Sequence, residues 1–180
     1  VGEPRQLVVG DPPLSATFSN YLAPDGAEIV FRGQQSVAAG GRSGIFAVHP
    51  DGTGLRQMTP TNGDRDNDYQ FPQPSPDGRY VTYTAWDPVF HGARIHILDL
   101  RTGEDRNLTD VGRNEGYATF SPDSRRIVFT NYLSDRNQIM VEPIDGRARP
   151  LAMGPNYRQV NNGGVGGLFS PDGKWLLYTA

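Results

Sequence analysis

The stretch Ser75-Pro-Asp-Gly-Arg-Tyr-Val-Thr-Tyr83 decides how this chain folds. Proline sets φ near −65° at the second position of a tight turn, and aspartate tolerates the third position. Glycine then supplies the left-handed conformation that returns the chain into the next segment. The aromatic and β-branched residues that follow are typical of a strand. The stretch therefore predicts a tight turn that leads into a strand.

The same pattern occurs four times in the 180 residues. The other copies are Ala23-Pro-Asp-Gly-Ala-Glu-Ile-Val-Phe31, Ser121-Pro-Asp-Ser-Arg-Arg-Ile-Val-Phe129 and Ser170-Pro-Asp-Gly-Lys-Trp-Leu-Leu-Tyr178, and their prolines are 52, 46 and 49 residues apart. A period near 50 fits four short strands with generous loops. In the third copy Ser124 stands where the others have glycine. If that position is left-handed, we expect a strain on the order of 1 kcal/mol there.

The segments between these motifs predict further strands and turns. Residues 44–52, 93–103 and 138–146 each predict a strand followed by a turn, and residues 55–59, 106–109 and 149–151 predict short outer strands. Bulky residues at adjacent positions indicate that both faces of each sheet are covered. The sequence therefore predicts an all-β chain, a β-propeller built of four-stranded antiparallel blades, and no helix-period segment competes with it.

Composition narrows the classes of partner. The chain has 17 basic and 20 acidic residues, a formal charge of −3, so no phosphate-tracking surface and no nucleic-acid partner are expected. The absence of cysteine removes disulfides and thiolate metal sites. No stretch approaches the roughly 20 apolar residues of a membrane span, so we predict no membrane insertion.

These motifs resemble the TolB-type β-propeller repeat family over residues 15–180. Its signature combines the Ser-Pro-Asp-Gly turn with a hydrophobic second strand and a Leu-Thr pair. In this chain the pair corresponds to Met58-Thr59 and Leu108-Thr109, and the third repeat has Leu151-Ala152 in its place. The resemblance implies a ring of six or seven blades, of which this chain holds an incomplete ring of about three to four. We expect blades at 14–60, 61–110 and 111–155, a partial blade at 156–180, and an outer strand of a preceding blade within residues 1–13. A fragment of a longer propeller would expose open blade edges and favour self-association.

The sequence contains no recognisable constellation of catalytic residues. The chain has no Gly-x-Ser-x-Gly elbow, and its histidines are His49, His91 and His96. His49 and His96 fall in equivalent third strands, where we expect imidazoles packed between blades, and His91 falls in a loop. No catalytic residue and no cofactor are therefore predicted.

The acidic segment 64–68 is the one weak metal candidate. Asp64, Asp66 and Asp68 alternate as in a calcium loop, but the internal glycine and the distal glutamate are misplaced. An ordinary solvated loop is the more frequent outcome for such a segment, and we predict no metal site there.

The loops that enter the inner strands are the best candidates for a binding surface, because such loops surround the central opening of a propeller. The candidate ligand- or partner-binding residues are Asp68, Tyr69, Asn114, Glu115, Arg158 and Asn161. Taken singly, each is more often an ordinary polar loop residue. Trp86 and Phe90 in a connecting loop would either anchor a partner or fold back over the blade.

The resemblance implies a non-enzymatic, protein-binding scaffold of the bacterial cell envelope, located in the periplasm or outside the cell. An alternative is the substrate-gating propeller domain of a serine peptidase similar to prolyl oligopeptidase. A weaker alternative, a metal-dependent carbohydrate-active propeller, depends on the acidic segment alone.

Overall fold

The computed structural model describes residues 14–34, 43–59, 69–87, 91–109, 114–134, 136–158 and 166–178. The strands in these ranges are β1 (Ser15–Leu22), β2 (Ile29–Gln34), β3 (Ser43–Val48), β4 (Arg56–Gln57), β5 (Tyr69–Pro74), β6 (Tyr80–Asp87), β7 (Gly92–Asp99), β8 (Asp105–Asn107), β9 (Glu115–Phe120), β10 (Arg126–Tyr132), β11 (Arg136–Pro143), β12 (Leu151–Arg158), β13 (Gly167–Phe169) and β14 (Leu176–Tyr178). No helix of membrane-spanning length and apolar character occurs in these ranges.

The strands form antiparallel sheets in which each strand pairs with its neighbour in the sequence. Three sheets have four strands, in the orders β1-β2-β3-β4, β5-β6-β7-β8 and β9-β10-β11-β12, and β13-β14 forms a two-stranded sheet. The predicted all-β architecture of four-stranded antiparallel sheets is confirmed. The first strand of each sheet contacts the first strand of the next, β1 with β5, β5 with β9, and β9 with β13. We call β1, β5, β9 and β13 the inner strands.

The outer strands depart from the sequence-based bounds. β4 and β8 are shorter than predicted, and β12 runs from Leu151 to Arg158, past the predicted end at 151 and past the expected blade boundary at 155. The physical reason lies in β11, whose eight residues provide a long partner edge. Pairs extend from Val141 with Leu151 to Arg136 with Arg158, across one register shift.

A side-chain hydrogen-bond pattern closes each Ser-Pro-Asp turn. The Ser75 hydroxyl donates to Asp77 Oδ1 at 2.5 Å and accepts the Tyr80 N–H at 2.8 Å, while Asp77 Oδ1 also accepts the Arg79 N–H at 3.0 Å. The serines at 121 and 170 make the same bonds in their own turns. The repeated Ser-x-Asp spacing thus encodes a turn that satisfies its own backbone donors.

Ser124 has φ 58°, so this position is left-handed, which is the condition under which the sequence predicted strain. The glycines of the other three turns have φ of 69° to 71°. The structure adds a contact that the sequence did not predict, because the buried Ser124 hydroxyl accepts the Asp77 N–H of the second sheet at 3.0 Å. Glycine could relieve the strain but could not make this bond between sheets.

Apolar side chains fill the spaces between successive sheets. Ile127 and Val128 are adjacent in β10 and both are fully buried. Ile127 packs with Ile95 and Ile97 of the second sheet, whereas Val128 packs towards the β13-β14 pair. Burial at consecutive positions is what a sheet covered on both faces requires, as the sequence predicted.

Candidate functional site

Two predicted site residues begin the inner strands. Tyr69 is the first residue of β5 and pairs with Ala85, and Glu115 is the first residue of β9 and pairs with Asn131. The sequence placed both in loops, but each already belongs to a ladder and is buried, Glu115 to 1% exposure. The loop assignment is therefore corrected for these two residues, and a role in binding stays a prediction.

Each of the two side chains is fixed by a partner. The Tyr69 ring meets the Tyr83 ring edge-on, with centroids 5.5 Å apart. Glu115 accepts a hydrogen bond from the Thr109 hydroxyl, whose oxygen in turn accepts the Ile95 N–H at 3.2 Å. The Leu-Thr pair thus ties the end of one sheet to its own third strand and to the inner strand of the next sheet.

The other predicted site residues are dispersed. Asn114 is exposed, and its carbonyl accepts the Tyr132 N–H at 2.8 Å. Arg158 ends β12, so it belongs to an outer strand and not to the loop in which the sequence placed it. Asp64, Asp66, Asp68 and Asn161 lie outside the described residues. Only Tyr69 and Glu115, at equivalent positions on neighbouring inner strands, share a setting in the part that the structure describes.

The histidines differ in setting. His49 follows β3 and is exposed, with its Nδ1 3.1 Å from Thr53 Oγ1. It therefore lies in a turn, and the prediction that its imidazole packs between blades is wrong. His96 is half-buried in β7, stacked on the Tyr83 ring with centroids 5.4 Å apart and with Nδ1 3.3 Å from Asp105. In the described residues no group of three acidic or histidine side chains gathers to hold a metal ion.

Two further predicted positions lie at the end of the second sheet where β6 ends and β7 begins. His91 is exposed and has φ 50°, directly before β7. Trp86 lies within β6 and not in a loop, and 40% of it is exposed. Phe90, its predicted companion, lies outside the described residues.

The inner strands carry an aromatic pair that the sequence patterns did not predict. Phe71 has φ 52° and Tyr117 has φ 55°, a conformation that is strained for side chains of this size. Phe71 lies at the register shift between Gln70 and Gln73 in β5. Tyr117 of β9 lies opposite the register shift between Val128 and Thr130 of β10. Their rings meet with centroids 4.3 Å apart and planes tilted by 32°.

The aromatic pair had a detectable signal in the sequence. Phe71 and Tyr117 each stand four residues before the serine of the turn, and Gly166 holds the equivalent place before Ser170. A Cβ built on Gly166 would lie 4.0 Å from the Tyr117 Cβ, so this row continues to the residue directly before β13. The Tyr132 ring meets Tyr117 edge-on at 6.5 Å, and burial, with Tyr117 nearby, raises the pKa of Tyr132.

The second and third sheets enclose a buried carboxyl group. Glu142 of β11 is 5% exposed, and its Oε2 has no hydrogen-bond partner among the described residues. Burial raises the pKa of Glu142 to about 7, the nearby Glu115 carboxylate adds to the rise, and Arg106 opposes it. A carboxyl group of this kind is protonated in part near neutral pH.

Four-stranded antiparallel meanders with their inner strands side by side define the chain as a β-propeller protein. No family model matches the chain. It is 28% identical over 141 residues to YuxL, an uncharacterised peptidase of Bacillus subtilis, a match that covers 61% of this chain and 21% of YuxL.

Solved structures share the fold. A protein assigned as TolB in Agrobacterium tumefaciens is similar with a TM-score of 0.66 at 23% identity, over 91% of this chain and 53% of the other. The β-propeller domain of the Trilobed protease of Pyrococcus furiosus is similar with a TM-score of 0.63 at 11% identity, over 88% and 47%. The chain thus spans about half of each of these structures and about a fifth of YuxL.

Proposed function

We propose that this chain is a non-enzymatic, protein-binding β-propeller scaffold of the TolB type, working in the bacterial cell envelope. The observation that supports it most is the aromatic pair on the inner strands. Phe71 and Tyr117 are held in strained backbone conformations and lie in contact on neighbouring strands. Strained residues of this kind concentrate at functional sites, and aromatic side chains are enriched at protein interfaces.

The periplasmic or extracellular location belongs to the same proposal. Its support is the TolB likeness in fold together with the Ser-Pro-Asp-Gly repeat. The functional surface in this proposal comprises the exposed Asn114 and the partly exposed aromatic pair, and the buried Tyr69 and Glu115 belong to the same strands.

The test is a direct binding measurement. Purified chain is immobilised, exposed to an envelope extract of the source cell, and the captured protein is purified and titrated against the chain by calorimetry. We expect saturable binding that weakens about tenfold or more in the F71A/Y117A variant, since buried aromatic anchors dominate interfaces. The W175A variant is the matched control, because Trp175 is an aromatic residue exposed to 75% on another sheet.

The same preparation is tested for peptidase activity on fluorogenic peptides. No turnover above buffer is expected. Saturable hydrolysis by the purified chain would contradict the non-enzymatic part of the proposal, and binding that the F71A/Y117A variant retains in full would contradict the location of the surface.

A second candidate is the substrate-gating propeller of a serine peptidase. The match to YuxL supports it, since that relative is described as a peptidase and the aligned part is a fifth of its length. Sequencing the gene beyond codon 180 discriminates between the two candidates. A following α/β-hydrolase segment with a Gly-x-Ser-x-Gly elbow would favour the gating role, and further propeller repeats alone would favour the scaffold.

A further inference from the structure

The inner strands β5 and β9 carry the aromatic pair, and no strand of their own sheets pairs with them on the side away from β6 and β10. Each is the first strand of its sheet and pairs on one side only within that sheet. Pro72 and Pro74 in β5 carry no N–H, so this edge is rich in carbonyl acceptors and poor in donors. The bulge at Phe71 also interrupts the strand. A regular added strand would therefore pair poorly, whereas a group that brings its own donors suits the edge.

The two aromatic rings offer a surface for a cation. Phe71 and Tyr117 are both partly exposed, and their rings lie 4.3 Å apart at a tilt of 32°. The negative faces of Phe and Tyr attract guanidinium and ammonium groups within about 6 Å of the ring centre. The protein uses this kind of contact elsewhere in the same sheet, since the Arg79 guanidinium lies 4.7 Å from the Tyr80 ring centre.

Acceptor oxygens lie on the strand segments next to the aromatic pair. Glu115 precedes Tyr117 by two residues in β9 and is opposite Asn131 of β10. Asn131 is 3% exposed, and its Oδ1 has no hydrogen-bond partner among the described residues. A buried acceptor without a donor costs about 1–3 kcal/mol. Glu115 is buried and already accepts the Thr109 hydroxyl, so the Asn131 oxygen is the acceptor that lacks a donor, and it favours a ligand rich in N–H groups.

We propose that the aromatic pair receives the guanidinium of an arginine carried on an extended segment of the protein partner. Arginine fits better than lysine because its planar group stacks on an aromatic face while its five N–H groups reach acceptors in the ring plane. This inference rests on the proposed scaffold function and adds the chemistry of the side chain that the inner-strand surface recognises.

The experiment uses N-acetyl-Gly-Arg-Gly-amide as the probe and its citrulline analogue as the neutral isostere. Aromatic ring signals of the chain are followed by NMR during titration. We expect the arginine peptide to shift the signals of Phe71 and Tyr117, and the citrulline peptide to bind about tenfold more weakly or less. Equal binding of the two peptides, preference for a Gly-Pro-Gly probe, or no shift at all would each overturn the proposal.

Variants assign the binding to the aromatic pair. The F71L/Y117L variant keeps apolar volume and removes both ring faces, and we expect it to lose the arginine preference while remaining folded. W175A is the matched control and should bind as the parent does. Retention of the arginine preference in F71L/Y117L would contradict the proposal. If a captured partner binds but the arginine peptide does not, the inference fails and the scaffold function stands. If the arginine peptide binds but no partner is captured, the scaffold function fails while the arginine preference of the aromatic pair remains.

Discussion

At the scale of single residues, Ser124 combines a strained backbone conformation with a stabilising hydrogen bond to the neighbouring sheet. Its left-handed backbone is strained, with φ 58°, where three other turns have glycine. Its hydroxyl also accepts the Asp77 N–H of the neighbouring sheet. Strain and hydrogen bond are each worth about 1 kcal/mol, so they nearly cancel.

Two substitutions separate these contributions. We expect Ser124→Ala to lower the free energy of unfolding by about 1–2 kcal/mol, since it keeps the strain and loses the bond. Ser124→Gly loses the bond and the strain together, so a change within about 0.5 kcal/mol is expected. Urea denaturation measures both. A Ser124→Gly variant that is clearly more stable than the parent would show that the bond to Asp77 contributes nothing.

Because of Glu142, we expect the free energy of unfolding to fall as the pH rises. Its pKa in the folded protein is about 7, above the ordinary value of 4.5. The folded state therefore binds more protons than the unfolded state between these values, and the stability present below about pH 4.5 is lost as the pH rises through about 7. The groups that face it are Glu115, which strengthens the effect, and Arg106, which weakens it.

The Glu142→Gln variant tests this assignment. Glutamine cannot ionise, so we expect the parent and the variant to have similar stability near pH 5. At pH 8 the variant is expected to be more stable by an amount on the order of 2 kcal/mol. Thermal unfolding from pH 5 to pH 8 reports the difference. Parallel profiles for the two proteins would assign the pH dependence to other groups.

At the scale of elements, the inner strands are joined by close contacts rather than by a ladder. The Thr119 hydroxyl of β9 donates to the Gly167 carbonyl of β13 at 2.6 Å. A Cβ on Gly167 would lie only 2.6 Å from Val128 Cγ2, so glycine is required for β13 to reach the third sheet. This contact explains why residue 167 is glycine, because the Val128 side chain occupies the space that a Cβ would need.

A double-mutant cycle tests this contact. Gly167→Ala should destabilise the protein by about 1–3 kcal/mol, because an added methyl group collides with a packed side chain. In the Val128→Ala background the same change should cost much less, since the colliding methyl groups are gone. Urea unfolding of the four proteins gives the coupling energy. Strict additivity would place the Gly167 Cα further from Val128 than the structure has it.

At the scale of the whole molecule, stability depends on the apolar layers between neighbouring sheets. Phe129 is fully buried in the layer between the second and third sheets, with Ile95, Ile97 and Met140. A repeat protein is held by such nearest-neighbour contacts, so damage at one layer affects the flanking sheets first.

The Phe129→Ala variant makes this measurable. We expect a loss of about 3–5 kcal/mol and faster amide exchange in β6, β7, β10 and β11 than in β2 and β3. Leu177→Ala is the control, since Leu177 is 72% exposed and its loss should change stability by less than about 0.5 kcal/mol. Uniform acceleration across all sheets would show that the blades unfold as a single unit.

The sequence by itself determined the repeat, the turns and the four-stranded antiparallel sheets, because each Ser-Pro-Asp turn and its following strand are encoded within nine consecutive residues. It also marked Ser124 as the residue that stands where the other turns have glycine. Such features depend on local backbone preferences and on the burial of consecutive strand residues, which a linear pattern records.

Only the tertiary structure decided which of these residues meet. The contact between Phe71 and Tyr117, the bond from Asp77 to Ser124 and the burial of Glu115 each join residues of different repeats. The length of β12 was likewise decided by its partner strand. Contacts between repeats depend on how the sheets pack against each other, and no short stretch of sequence contains that geometry.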